Sequence, residues 1–215
     1  MSADRRVDRA ADRPLPRDEA RALLDRHAPP DAGWKRHCLQ VAKVADRMST
    51  ALVEAGRPVD RDALHAQALL HDVGRARTHG PFHGWTGFVL LRAQGFPRAG
   101  RGCLTHWLKG REPDEVLASP LFRPGIVAQA YAALGPEGWT LSDSVLSIAD
   151  SSVRHTTIVS VRSRHRDLLE RYGDSTWLRR AEELAHGHAA EVGAALGFPV
   201  EELLAPLYGD RRDDG

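Results

Sequence analysis

The sequence predicts an all-α fold with one domain, and three observations support this prediction. Apolar residues recur every three to four positions along most of the chain, which is the period of helices packed on a core. No stretch alternates cleanly between apolar and polar residues, and no Asn-Gly turn indicates a β-hairpin. The chain also contains no internal repeat and no convincing linker, so a single domain is expected.

The two ends of the chain differ in composition from the rest. Residues 1–17 are charged, interrupted by proline and poor in apolar residues, which is typical of a disordered leader. Residues 209–215 form a charged tail. The folded domain is therefore expected over residues 18–208.

Glycine, proline and capping residues divide the domain into predicted helices. These helices are expected at residues 16–28, 31–56, 59–73, 84–94, 97–109, 126–134, 141–153, 157–172, 177–196 and 200–207. Asp31 is a candidate N-cap, and Asp174-Ser175 precede the long helix near the C-terminus. Gly74 is expected to end its helix in the left-handed conformation. Residues 111–125 are expected to form a loop with one helical turn.

Composition excludes several classes of protein. The hydrophobic share is 42%, the charged share is 27% and the formal net charge is +1, so neither a nucleic-acid polymer nor a membrane surface is expected as a partner. The only two cysteines, Cys38 and Cys103, cannot form a disulfide framework and are expected to be buried thiols. There is no signal peptide and no apolar run of 18 residues, so a cytoplasmic location is expected.

The segment ALLHDVGRARTHGPFHG, at residues 68–84, contains the strongest chemical motif. His71 and Asp72 follow an apolar, helix-favouring run, and an imidazole beside a carboxylate can bind one metal ion. A His-Asp pair alone is common, but His37 lies on an earlier helix and Asp150 on a later one. The residues alone leave open a hydrogen-bonded core histidine for His37 and a solvated surface acid for Asp150.

The order H…HD…D resembles the HD-domain superfamily of metal-dependent phosphohydrolases. Four segments are similar to its motifs, namely HCLQVAKVADRM, ALLHDVGR, HGWTGFVLLRAQGFP and SIADSSV. The likeness is greatest to small prokaryotic proteins with HDIGR-x-x-T-H-x-x-x-H, and it covers residues 18–196. Phe88 stands where the family usually has alanine, and Ser151 stands where many relatives have lysine. The resemblance implies a compact bundle of many helices.

The resemblance also implies a metal site with open positions for substrate and water. The implied ligands of the first ion are His37, His71, Asp72 and Asp150. A second ion is expected at His83 and His106, with Asp72 as the bridge, although either histidine could instead bind substrate or cap a loop. This mixture of nitrogen and oxygen ligands suits divalent Fe, Mn, Co, Ni or Zn, and Mg less well.

Basic residues near the motif are candidates for binding a phosphate group. Arg75 matches a basic position of the family and is assigned a catalytic role together with Asp72, although a surface arginine is the alternative. His79, Lys109 and Arg111 are further substrate-binding candidates. Because lysine is absent at Ser151, phosphate binding is expected to depend more on Arg75. The other histidines, which lack a motif, are given no role: His27, His65, His155, His165, His186 and His188.

Three functions are compatible with these residues. The first is hydrolysis of a phosphomonoester or phosphodiester of a nucleotide or other small metabolite by metal-activated water. The second is a diiron oxygenase of the same fold that acts on a small polar substrate. The third is a non-catalytic module that binds a nucleotide, against which the complete ligand set argues. The sequence leaves the substrate, the metal and the oligomeric state open.

Overall fold

The computed structural model describes residues 15–209, and in this part of the chain the fold is a bundle of eleven α-helices. In chain order the helices are α1 (Arg17–His27), α2 (Gly33–Glu54), α3 (Arg61–Leu70), α4 (His83–Ala93), α5 (Pro97–Leu108), α6 (Pro113–Leu117), α7 (Pro124–Leu134), α8 (Leu141–Ser151), α9 (Val161–Tyr172), α10 (Thr176–Leu196) and α11 (Val200–Leu204). Short 3-10 helices lie at Val73–Ala76 and Ala205–Leu207. The prediction of an all-α fold is confirmed.

A short two-stranded antiparallel sheet lies where the start of one helix was predicted. Strands β1 (Val153–Arg154) and β2 (Thr157–Ile158) pair with Val153 opposite Ile158. Between them His155 has a positive φ of 55°, which lets the chain reverse. The helix predicted from residue 157 therefore begins only at Val161, where the Ser160 side chain accepts a hydrogen bond from the Ser163 amide.

The N-terminal boundary also differs from the prediction. Residues 1–14 of the expected leader and residues 210–215 of the tail lie outside the described residues. Leu15 is buried in the core, and Arg17 begins α1 with contacts to Asp46 and Asp62 at 2.9 and 2.8 Å. The last residues of the expected leader are therefore part of the fold. Asp31 is not a cap, because α2 follows Ala32 without a side-chain hydrogen bond.

Helix α3 lies at the centre of the bundle and packs against α1, α2, α5 and α8. Seven of its ten residues are buried, and the side chain of Asp60 caps its first turn by accepting from the Ala63 amide at 3.0 Å. Because α3 is packed on several sides, the residues that follow Leu70 have a fixed position. Cys38 and Cys103 are buried free thiols, as predicted. Among the described residues, no helix is long and apolar enough to cross a membrane.

Gly74 is required for close packing and not for a left-handed turn. It lies in the 3-10 helix Val73–Ala76 and is absent from the glycines of positive φ. A Cβ atom at this position would lie 1.9 Å from the backbone oxygen of His83 and 2.6 Å from the Gly87 amide. The prediction about its conformation is therefore wrong, because α4 crosses the segment after Asp72 in direct backbone contact.

We expect Gly74→Ala to lower the free energy of unfolding by about 1–3 kcal/mol or more, the usual cost of overpacking. The atoms it meets are backbone atoms of α4, which cannot rotate away. Gly187 in α10 has open space at its Cβ position, so Gly187→Ala should raise that free energy by about 0.5–1 kcal/mol. Urea denaturation followed by circular dichroism measures both changes. Wild-type stability of Gly74→Ala would contradict the close approach.

Candidate metal centre

His71 and Asp72 directly follow α3, and both side chains are buried. His71 Nδ1 donates to the Ala68 carbonyl oxygen at 2.7 Å, and Asp72 Oδ2 accepts from Arg75 Nε at 2.6 Å. The second polar atom of each residue, His71 Nε2 and Asp72 Oδ1, is buried without a hydrogen-bond partner among the described residues. Such atoms are rare in proteins and often face an ion or a ligand.

His37 and Asp150 reach the same place from α2 and α8. His37 Nδ1 donates to the backbone oxygen of His155 at 3.1 Å, and its Nε2 lies 3.0 Å from Asp150 Oδ1. The same carboxylate oxygen lies 3.7 Å from His71 Nε2. Asp150 is only 7% exposed, so the interpretation of a surface acid is wrong. The four residues that the motif predicts as a group are together in the structure.

His83 and His106 complete the cluster from the start of α4 and from α5. His83 Nδ1 donates to the Gly80 oxygen and His106 Nδ1 donates to Asp150 Oδ2, each at 3.0 Å. Their Nε2 atoms are 3.0 Å apart and lie 3.2 and 3.4 Å from Asp72 Oδ1. The sequence placed these histidines beside Asp72, and the structure brings them there.

The four histidines share one orientation that suits a metal ion. In each, Nδ1 bonds an oxygen that can only accept, so the neutral ring carries its proton on Nδ1 and a lone pair on Nε2. Each Nε2 faces a carboxylate or another Nε2, and such acceptors repel one another unless a metal ion or a proton lies between them. Two triads have ligand atoms within 4.8 Å of one another, namely His37, His71 and Asp150, and His71, Asp72 and His106. This donor set fits one or two divalent ions.

The charge states of the cluster agree with this geometry. Burial lowers the pKa of His71 to about 3, which leaves it neutral as a metal ligand must be. Burial opposes ionisation of Asp72 and Asp150, but His106 and His83 beside Asp72 and Lys109 beside Asp150 hold both pKa values well below their usual range.

The carboxylates also favour the protonated form of His106. Burial lowers the pKa of His106, but the negative charges of Asp150 and Asp72 and the hydrogen bond to Asp150 outweigh it, so the pKa is raised. Metal ions compete with protons for such ligands. A metal ion bound at His106 Nε2 would therefore displace the proton.

The cluster borders a cavity of about 720 Å³ that is rich in basic side chains. Six basic residues line it, namely Arg36, Arg75, Lys109, Arg111, Arg164 and Arg171. Among the described residues, the acids on its lining are Asp72 and Asp150. Its size is within the range of small-molecule sites, and its charge favours an anionic ligand.

The predicted substrate-binding residues all line this cavity. Arg75 is fixed at Asp72 through Nε, and its terminal nitrogens have no hydrogen-bond partner within residues 15–209. His79 is exposed at the cavity. Arg111 is almost fully buried, donates to the backbone oxygens of Leu108 and Trp177 and stacks on the Trp177 ring at 3.8 Å.

Lys109 occupies a position that the sequence motif did not indicate. It follows α5 with a left-handed backbone of φ 54°, and its Nζ lies 2.7 Å from Asp150 Oδ2. The Lys109 ammonium group thus contacts Asp150 from the end of α5, while Ser151 is the residue that follows Asp150 in the chain. This contact explains how Asp150 is neutralised without a lysine at Ser151.

Two residues that the sequence left without a role belong to the site. The His155 carbonyl orients His37, and His165 of α9 lines the cavity. The available signal for His165 was its place on an inner helical stripe with Val161 and Leu168, on a helix that is otherwise highly charged. His188, by contrast, bonds Ser147 Oγ at 2.9 Å and does not line the cavity.

Comparison with known proteins agrees with this geometry. A family model described as HD domain matches residues 35–152, more than half of the chain and a range that includes His37, His71, Asp72 and Asp150. An uncharacterized protein of Methanocaldococcus jannaschii is 43% identical over 60 residues, which are 28% of this chain and 36% of that protein. The match thus spans little more than a third of the relative's length.

No solved structure gives a significant match. The HD-domain superfamily consists largely of metal-dependent phosphohydrolases, and its members bind divalent metals. The family match covers the segment from α2 to α8, which carries all six side chains of the cluster. The chain therefore belongs to the HD-domain family.

Proposed function

We propose that this protein is a metal-dependent phosphohydrolase that acts on a phosphomonoester or phosphodiester of a nucleotide or other small metabolite. The observation that supports this most directly is the juxtaposition of two features. A buried cluster of ligand atoms that could hold metal ions borders a cavity whose other charged side chains are basic. The first feature suits divalent metal ions, and the second suits a phosphorylated ligand.

In this proposal the six clustered side chains hold two ions. His37, His71, Asp72 and Asp150 bind the first, and Asp72, His83 and His106 bind the second. Imidazole and carboxylate together favour Fe, Mn, Co, Ni or Zn over Mg. When bound, the divalent ions lower the pKa of water and offset negative charge on a phosphoryl group.

The protein's own residues position the ligand and maintain the charge balance. The bond from Arg75 Nε to Asp72 fixes the guanidinium beside the cluster, and its terminal nitrogens are left to bind phosphoryl oxygens. Lys109 adds an ammonium group at Asp150. Burial of His71 and Asp72 keeps bulk water away from the inner side of the centre.

Arg75→Ala should lower kcat/KM for a phosphorylated substrate by about 1.5–3 kcal/mol, roughly 10- to 150-fold, the usual size for a hydrogen bond to a charged group. Arg75→Lys should recover only part of this loss, because lysine keeps the charge but not the forked donor. Steady-state kinetics measure both variants. The exposed Arg77 of the same segment is the matched control, and Arg77→Ala should behave as wild type. Unchanged kinetics in a folded Arg75→Ala protein would show that Arg75 does not bind the substrate.

A screen of phosphorylated metabolites tests the proposed activity. Protein loaded with Mn, Fe, Co, Ni or Zn should release phosphate from, or cleave, at least one member of the panel, and a chelator should abolish turnover. Consumption of dioxygen by iron-loaded protein with an unphosphorylated substrate would replace the proposal with a diiron oxygenase. Tight binding of a nucleotide without turnover in any metal form would indicate a binding module.

A further inference from the structure

His165 is a buried histidine on the lining of the cavity. It lies on α9 with 2% of its surface exposed, and it lines the same cavity as Lys109 and Asp150. Its Nε2 atom is buried, and no hydrogen-bond partner for it is found within residues 15–209. Buried polar atoms are almost always hydrogen-bonded, so a residue kept in this state needs an explanation.

Packing alone does not explain His165. It shares its helix face with Val161 and Leu168, where an apolar side chain would fill the space without an unsatisfied nitrogen. His188 shows how this fold accommodates a structural histidine. His188 is 7% exposed and shares a hydrogen bond with Ser147 Oγ. Its ring also stacks on Trp139, with the ring centroids 4.8 Å apart.

The charges around His165 indicate what kind of ligand it meets. Burial, followed by the positive charges of Lys109 and Arg164, lowers the pKa of His165 to about 4. The ring is therefore neutral near pH 7 and retains one N–H donor near Lys109 and Arg164, which are paired with Asp150 and Asp167. This setting favours an anion as the acceptor, because the surrounding lysine and arginine attract it and do not compete as acceptors.

We propose that His165 is a substrate-contacting residue that donates a hydrogen bond from its neutral ring to an anionic oxygen of the ligand. The identification of that oxygen as phosphoryl rests on the proposed function. His165, Lys109 and Arg75 all line the cavity that Asp150 borders, so the three can contact one anion there. The proposal adds a contact from α9, which lies outside the region matched by the family model.

The first part of the test is a direct observation of the histidine ring. Full-length zinc-loaded protein labelled with ¹⁵N-histidine is titrated with inorganic phosphate, and the His165 ring signals are assigned by their loss in His165→Gln. We expect the His165 ring nitrogens to shift with saturation while the His188 signals stay in place. Phosphate binding that shifts other histidines but leaves His165 unchanged would overturn the inference.

The second part is the affinity for inorganic phosphate, measured by calorimetry on the zinc-loaded protein. His165→Leu should weaken binding about tenfold or more, the usual worth of a hydrogen bond to a charged group, and His165→Gln should recover part of it. His65 is paired with Asp46 at 2.9 Å and does not line the cavity, so His65→Leu should bind as wild type does. Equal affinity for wild type and folded His165→Leu would reduce His165 to a structural residue.

The two proposals fail in different ways. If phosphate shifts His165 but no phosphorylated compound is turned over, the His165 contact stands and the hydrolase proposal is wrong. If turnover is observed and neither the His165 signals nor the His165→Leu affinity changes, the hydrolase stands and the contact is wrong. If zinc-loaded wild type binds no phosphate, the anion site itself is wrong, and the His165 inference falls with it.

Discussion

Asp72→Asn should remove most of the bound metal and lower turnover by more than about 100-fold, because even residues that only orient metal ligands are worth about 10- to 100-fold. Asp72 is the acid shared by both proposed ions, and its Oδ1 lies near His83 and His106. An amide of the same shape keeps the packing but is a poor ligand for a divalent ion. Elemental analysis and steady-state kinetics on the same preparation measure the two effects.

Asp18→Asn is the control for the loss of one negative charge, because Asp18 is exposed on α1 and does not line the cavity. It should retain wild-type metal content and turnover. In metal-free buffer, the Asp72→Asn protein should unfold at nearly the same denaturant concentration as the wild type. Full metal content together with full turnover in Asp72→Asn would contradict its assignment as a ligand.

Replacement of His83 and His106 by alanine should reduce the metal stoichiometry from two ions to one. The two Nε2 atoms lie 3.0 Å apart and converge on Asp72, whereas His37 and His71 lie on the side of Asp150. Removal of His83 and His106 takes away one donor to Asp150, at His106 Nδ1, but leaves His37, His71, Asp72 and Asp150 in place. Turnover should fall with the second ion, because two-metal sites stabilise both the attacking and the leaving oxygen.

Isothermal titration of metal-free protein with Zn²⁺ or Mn²⁺ counts the ions directly. His27→Ala combined with His186→Ala removes two histidines outside the cluster and should leave two ions bound. One ion in both the wild type and the His83/His106 variant would contradict the second site. In that case the two histidines would be assigned to substrate binding.

The sequence predicted the metal cluster better than the cavity around it. The set of His37, His71, Asp72 and Asp150 was implied by the resemblance to the HD-domain superfamily, and the helices that carry or precede them were predicted from their apolar stripes. The positions of their side chains follow once those helices pack around α3. The fold class and most helix bounds could be predicted for the same reason.

What the sequence missed depends on contacts between distant segments. Strands of two residues, as at Val153–Arg154 and Thr157–Ile158, are too short for an alternating pattern. The role of Gly74 depends on α4 crossing its backbone. Lys109 was predicted to bind substrate, but its contact with Asp150 and the place of His165 depend on distant segments that meet at one cavity, and no local motif marks that meeting.

Phosphate release during titration of metal into metal-free protein shows whether hydrolysis depends on the bound ions. A responsive phosphorylated substrate is supplied in excess, and the rate is followed as Mn²⁺ or another divalent ion is added. The account predicts no turnover without metal and a rate that rises with occupancy until two ions are bound per chain. Turnover that is independent of added metal would contradict it, as would two bound ions that produce no turnover of any phosphorylated compound.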